Sequence, residues 1–265
     1  MKKYILNSLM AILTISSISC STDSEEQLSG HNDLVIEFDN GFNGNDLLLN
    51  TSGYESINQE QLKISRLNYI VSNFKLTTAS GTVFTYPKND SYFIINKETG
   101  HTEVVLKEVP AGEYASISFG IGVDQEKYLQ GAEGQGDFLS LAEANEMMWA
   151  WQAGYKFLNY EGSFTTATTA EAQNFKVHMG SHGSSLDNYR ALSLALPSSA
   201  LVSSELKPVI HLAVDASKIL NGQYQLSLEE KSVIMVDENK SPQIAENLTG
   251  MFRVDHVHNG ASGTH

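Results

Sequence analysis

Met147-Met148-Trp149-Ala150-Trp151-Gln152-Ala153-Gly154-Tyr155-Lys156-Phe157-Leu158 carries both tryptophans of the chain, two residues apart. In an extended strand, successive side chains alternate between the two faces. Trp149, Trp151, Ala153, Tyr155 and Phe157 then share one face, and Ala150, Gln152, Gly154 and Lys156 take the other. The pattern predicts a sandwich strand with an aromatic row. That row either fills the core, the ordinary use of large aromatic side chains, or sets a tryptophan beside a metal or redox centre. Alternation does not separate the two.

Outward from this stretch, most of the chain reads as short strands. Residues 34–38 are β-branched and aromatic, and the Asn- and Gly-dense residues 39–45 after them read as a turn. Residues 62–76 alternate well enough for one or two strands, and Ser80-Gly81 makes a hairpin to residues 83–86. Further strands are expected at 92–95, 103–106, 114–121, 175–179, 189–196 (ending at Pro197) and 208–215. Such a series predicts an all-β, antiparallel β-sandwich. Short helical insertions are expected within residues 139–147 and at 216–220. Residues 241–252 are predicted as a helix with Pro242 at its first position, followed by a tail.

At the front, Lys2 and Lys3 precede an apolar run and small residues that end at Cys20, the single cysteine. Residues 1–19 read as a secretory signal peptide. Cys20 stands where a lipoprotein carries its lipid; the alternative is an ordinary secreted protein with a free thiol. Residues 20–32 form a lipid anchor and polar, acidic tether, placing the protein at the outer membrane, facing either the periplasm or the cell surface. Residues 33–240 make the sandwich domain and 241–265 the C-terminal helix and tail. A lipidated Cys20 leaves no thiolate for a disulfide or a metal. The formal charge of −14 argues against nucleic acid as a partner.

Any metal must therefore be held by His, Asp, Glu or Met. His31, His101 and His265 lie in tether, turn or tail contexts. In Phe175-Lys176-Val177-His178-Met179, alternation turns His178 away from the core, with Lys176. His182 follows by four, but Gly180 and Gly183 predict a turn there rather than a helical chelate. His211 takes the face opposite to Ile210 and Leu212. His256 and His258 share one face of an extended segment beside Asp255, as a bidentate platform or as a solvated tail. Neutral imidazoles suit copper, zinc or nickel alike.

Met-x-Trp-x-Trp-Gln-x-Gly-Tyr-x-Phe-Leu-x-x-Glu-Gly from Met147 to Gly162, followed by Phe-x-x-His-x-Gly from Phe175 to Gly180, resembles the copper-binding MbnP-like family. Phe38-Asp39, Leu67-x-Tyr69-x-Val71-Ser72-Asn73-Phe74, Val109-Pro110-Ala111-Gly112-Glu113-Tyr114 and Ile121-Gly122-Val123-Asp124 extend the similarity in the same order. The resemblance implies copper held by histidines beside a tryptophan that a di-haem peroxidase-type partner oxidises to kynurenine. It makes His178 the leading ligand and Trp149 or Trp151 the modified tryptophan. The family's frequent histidine after the first strand is Asn40 here, so either His211 or the His256/His258 pair replaces it or this member binds copper weakly or not at all. A shared ion with nitrogen bonds of about 2.0–2.1 Å would hold two imidazole nitrogens roughly 3–4 Å apart.

The competing function is a metal-free surface β-sandwich module that binds glycan or protein. No Ser/His/Asp order, phosphate-binding glycine loop or zinc-protease helix is present, so the sequence points away from an enzyme.

Overall fold

The long apolar run beginning at Leu62 forms one strand, and the larger of two sheets is assembled on it. The computed structural model describes residues 28–150, 154–183 and 185–261. In chain order the strands are β1 (His31–Phe42), β2 (Asn45–Asp46), β3 (Ser52–Glu55), β4 (Gln61–Thr78), β5 (Val83–Thr85), β6 (Tyr92–Asn96) and β7 (Glu103–Pro110). They continue as β8 (Gly112–Ile121), β9 (Leu158–Thr165), β10 (Gln173–Met179), β11 (Arg190–Val202), β12 (Leu206–Asp215), β13 (Val233–Ile234) and β14 (Phe252–Ala261). Helices α1 (Gln125–Tyr128), α2 (Gly131–Gln135) and α3 (Asp137–Ala144) lie between β8 and β9, and α4 (Lys240–Thr249) lies before β14.

The nine-stranded sheet runs β11-β8-β4-β9-β10-β13, with β3, β5 and β6 also paired to β4. The five-stranded sheet runs β14-β12-β1-β2, with β7 on the other side of β1. Together they make the expected all-β sandwich with short helical insertions. Two pairs within it run parallel, β1 with β12 and β10 with β13, while the others are antiparallel. Four aromatic rings join the sheets edge to face: Phe38 of β1, Tyr69 of β4, Phe119 of β8 and Phe252 of β14, with centroids 5.3–6.2 Å apart. Each such pair contributes about 0.5–1.5 kcal/mol beyond the area it buries.

Several local expectations change. β1 runs past Asp39 to Phe42, and its turn is only Asn43-Gly44, both at positive φ (50° and 80°). An Asn-Gly pair of this kind matches the twist of a two-residue hairpin, which here returns into β2. His31, expected in the tether, opens β1 opposite Pro110. β11 continues through Pro197, with a register shift between Ala195 and Ala200 that accommodates the missing N–H. The expected tail is a full strand: β14 pairs antiparallel with β12 from Val214↔Phe252 to Leu206↔Ala261. Cys20, the signal segment and His265 lie outside the described residues. No helix among the described residues is long and apolar enough to cross a membrane.

The largest correction concerns the tryptophan stretch, whose described residues before Leu158 are not a strand. The backbone folds back on itself: Trp149 N–H donates to the Gly154 carbonyl (3.1 Å) and Lys156 N–H to that of Met147 (2.7 Å). Gly154 adopts φ +129°, a conformation that side-chain-bearing residues rarely reach. Trp149, Tyr155 and Phe157 are buried, but in a looped segment rather than along one pleated face.

Candidate metal centre

The looped segment is fastened to the end of β10 by the Phe157 N–H, which donates to the Met179 carbonyl at 2.6 Å. This sets Trp149 over the residues that leave β10. Its ring, 5 % exposed, lies 5.2 Å from the ring of His182 and 6.3 Å from that of His178, centroid to centroid. The approach requires glycine at 180. A Cβ there would stand 2.1 Å from the Tyr155 carbonyl oxygen and 3.2 Å from Trp149 Cζ2. The glycine of Phe-x-x-His-x-Gly is thus explained by packing against the tryptophan loop.

His182 sits in the expected turn, its N–H donating to the Leu186 carbonyl at 2.9 Å. The turn is held by Asn188, whose Nδ2 donates to the Gly180 carbonyl, and by Gln125 from α1, whose Nε2 donates to the Gly183 carbonyl. Burial lowers the pKa of His182 and so favours its neutral, ligand-competent form.

His178 does not point to solvent with Lys176; it is 4 % exposed. Its Nε2 lies 2.7 Å from Glu161 Oε1 on the adjacent strand β9. That hydrogen bond holds the Glu161 carboxyl below the usual carboxylate range, more than offsetting the upward push of desolvation. An ionised carboxylate only accepts, so Nε2 carries a proton, and in the neutral ring Nδ1 holds the lone pair. Nδ1 is buried with no hydrogen-bond partner among the described residues. A buried bare nitrogen is costly unless something fills its lone pair. A carboxylate fixing the far nitrogen of a histidine is also the usual support of a metal ligand. The donor chemistry suits a copper ion on these grounds: an oriented nitrogen on His178, a second imidazole at His182 and an indole near each of them.

A second cluster lies on the five-stranded sheet. Glu37 of β1, His211 of β12 and His256 of β14 are directly opposite one another across three neighbouring strands. His211 Nδ1 is 2.9 Å from Glu37 Oε2 and 3.6 Å from Asp39 Oδ2. The His256 ring stacks on that of His211 at 4.1 Å and 11°. His256 Nδ1 lies 3.1 Å from Asp255, which also accepts from Arg253.

The sequence-predicted residues therefore divide between two sheets. His178 and Trp149 come together, and His211 and His256 come together. His258, exposed, lies opposite Val209, two pairs further along β14. Trp151 is outside the described residues. Two contributors escaped sequence reasoning. His182 was assigned correctly to a turn, yet that turn is what carries it to Trp149. Glu161 sits in the Glu-Gly end of the tryptophan motif; it stands opposite Lys176 in register and reaches His178 diagonally, two residues along β10, which only the folded sheet reveals.

Comparison with known families decides the affiliation: the family model described as MbnP matches residues 31–237. The chain belongs to the MbnP family. Among solved structures, MbnP from Methylosinus trichosporium is similar at 13% identity, covering 87% of this chain and 99% of that one, with a TM-score of 0.48. A comparison with curated proteins returned no match. The MbnP match takes in Trp149, His178, His182 and His211 but stops before β14 and His256. Asn40, at the position where the resemblance led us to expect a histidine, is 4 % exposed and accepts the Tyr69 hydroxyl at 2.9 Å. Here that position serves the core.

Proposed function

We propose that this MbnP-family chain binds copper at the cell envelope, with His178 and His182 as nitrogen donors beside Trp149. The observation that carries the proposal is the buried Nδ1 of His178, bare while Glu161 fixes the opposite nitrogen. Copper accepts imidazole nitrogen readily, and a thiolate-free pair of neutral histidines is a suitable donor set for it. Glu161 orients His178, Gly180 admits the indole, and the His182 turn closes the other side. In this reading Cys20 anchors the chain to the outer membrane through lipid. Trp149 is the tryptophan oxidised to kynurenine, the oxidant coming from outside the chain through a di-haem peroxidase-type partner.

The test is metal analysis of protein isolated from its native envelope, with peptide mass mapping of the segment bearing both tryptophans. Copper should co-purify with the wild-type chain and be lost from His178→Ala, and the mass change should fall on Trp149. Equal copper in the wild-type and the His178→Ala/His182→Ala chains would refute the ligand assignment. An unmodified Trp149 in native protein would refute its oxidation.

A further inference from the structure

We propose that the five-stranded sheet carries a second metal site, distinct from the tryptophan cluster, for a borderline divalent cation of the zinc type. Its ligands are Glu37, Asp39 and His211, completed by His256.

Strand register builds the site. Glu37, His211 and His256 are successive cross-strand partners, and Asp39 is two residues along β1, on the same face as Glu37. One donor atom from each of Glu37, Asp39 and His211 lies within 4.8 Å of the other two. Donors about 2.0–2.2 Å from a tetrahedral ion stand roughly 3.3–3.6 Å from each other. The 3.6 Å between His211 Nδ1 and Asp39 Oδ2 already matches, and the 2.9 Å to Glu37 Oε2 has to open only slightly.

A simple ion pair would account for His211 and Glu37 alone. It does not account for a third donor within reach and a second imidazole laid against the first. His256 is more than half exposed, so its ring is free to turn from the stacked position and present a nitrogen. The Asp255 carboxylate is engaged by Arg253 and is not counted as a ligand. The His211 side chain is 20% exposed, which leaves a path from solvent. Two carboxylate oxygens with imidazole nitrogen favour a divalent ion over the softer copper(I), so the two clusters differ in chemistry as well as in place. Thirty-one acidic against seventeen basic residues concentrate cations around the whole molecule.

The experiment is a zinc titration of the full chain followed by the ring resonances of its histidines and by calorimetry. With the first equivalent bound at this sheet, the His211 and His256 signals should shift together. Glu37→Gln and His211→Gln should each weaken that binding by more than about tenfold, the least that even an outer-sphere partner costs a metal site. Resonances of His211 and His256 that stay in place through the titration would overturn the proposal without any variant having to fold. Unchanged zinc affinity in Glu37→Gln would overturn it as well.

Discussion

The two histidine clusters are built by opposite means. Around Trp149, the side chains meet because a loop and a turn are forced against the end of a sheet, and burial then hides nearly all of them. On the five-stranded sheet, Glu37, His211 and His256 meet because three strands pair in register, and they stay near the surface. The first arrangement depends on glycines and backbone hydrogen bonds that flank the histidines without binding anything themselves. The second depends only on alternation and pairing. Damage to packing should therefore strike the tryptophan cluster, while the outer row should respond only to loss of its own side chains.

The largest effect is expected from Gly180→Ala. Its Cβ would meet the Tyr155 carbonyl oxygen at 2.1 Å, a backbone atom that cannot simply rotate away. A loss of about 3 kcal/mol follows, within the range for overpacking of a buried site. Thermal unfolding should register it as a midpoint roughly 10 °C lower for a chain of this size. An unchanged midpoint would mean the loop is not seated on β10 as described.

Next in size is Glu161→Gln. Losing the carboxylate frees the His178 tautomer, and competition with a copper chelator should show about 10–100-fold weaker binding. The same substitution should leave zinc binding at the outer row untouched, and weakening of both would merge the two sites into one.

Acid should separate the regions too. Burial alone would raise the pKa of Asp124, but hydrogen bonds from Lys88, Tyr92, Asn73 and the Lys127 N–H outweigh it and bring it to about 2. A depressed folded pKa gives stability that is present above the ordinary carboxylate value and is lost as pH falls through the folded one. Asp124 caps α1, so this loss falls on the insertion that carries the tryptophan loop. In denaturant unfolding, Asp124→Asn should flatten the decline between about pH 4 and about pH 2. A decline as steep as that of the wild type would assign it to other carboxylates.

The smallest effect belongs to His256→Ala. An exposed ring on an outer strand face should change stability by no more than about 0.5 kcal/mol. A greater loss in chemical denaturation would show that the His211–His256 stack supports the sheet itself.

Much of this was legible in the residues. The alternation of residues 62–76 identified β4, and Ser80-Gly81 its hairpin. The tryptophan stretch misled because aromatic residues at every second position imitate a pleated face. What decides its shape is Gly154 at φ +129° together with bonds to β10, which come from more than twenty residues away in sequence. The burial of His178 was hidden for the same reason: Lys176 is exposed on the open part of β10, while the loop covers only the end of that strand. β14 was legible only as an extended segment in a tail, because its apolar content is slight and its pairing with β12 is not written in its own residues. The outer row was half visible, as His211 and His256 individually, but the register that joins them is a property of the folded sheet.

The parallel pairing of β1 with β12 also sets an order of events. Val35 faces Val209, so the front of the chain waits for 174 further residues before the middle of the smaller sheet can close. Contacts across such spans form slowly, and a strand edge left open meanwhile invites association with other chains. A chain cut short before Leu206 would keep Glu37 and Asp39 but none of the imidazoles that face them.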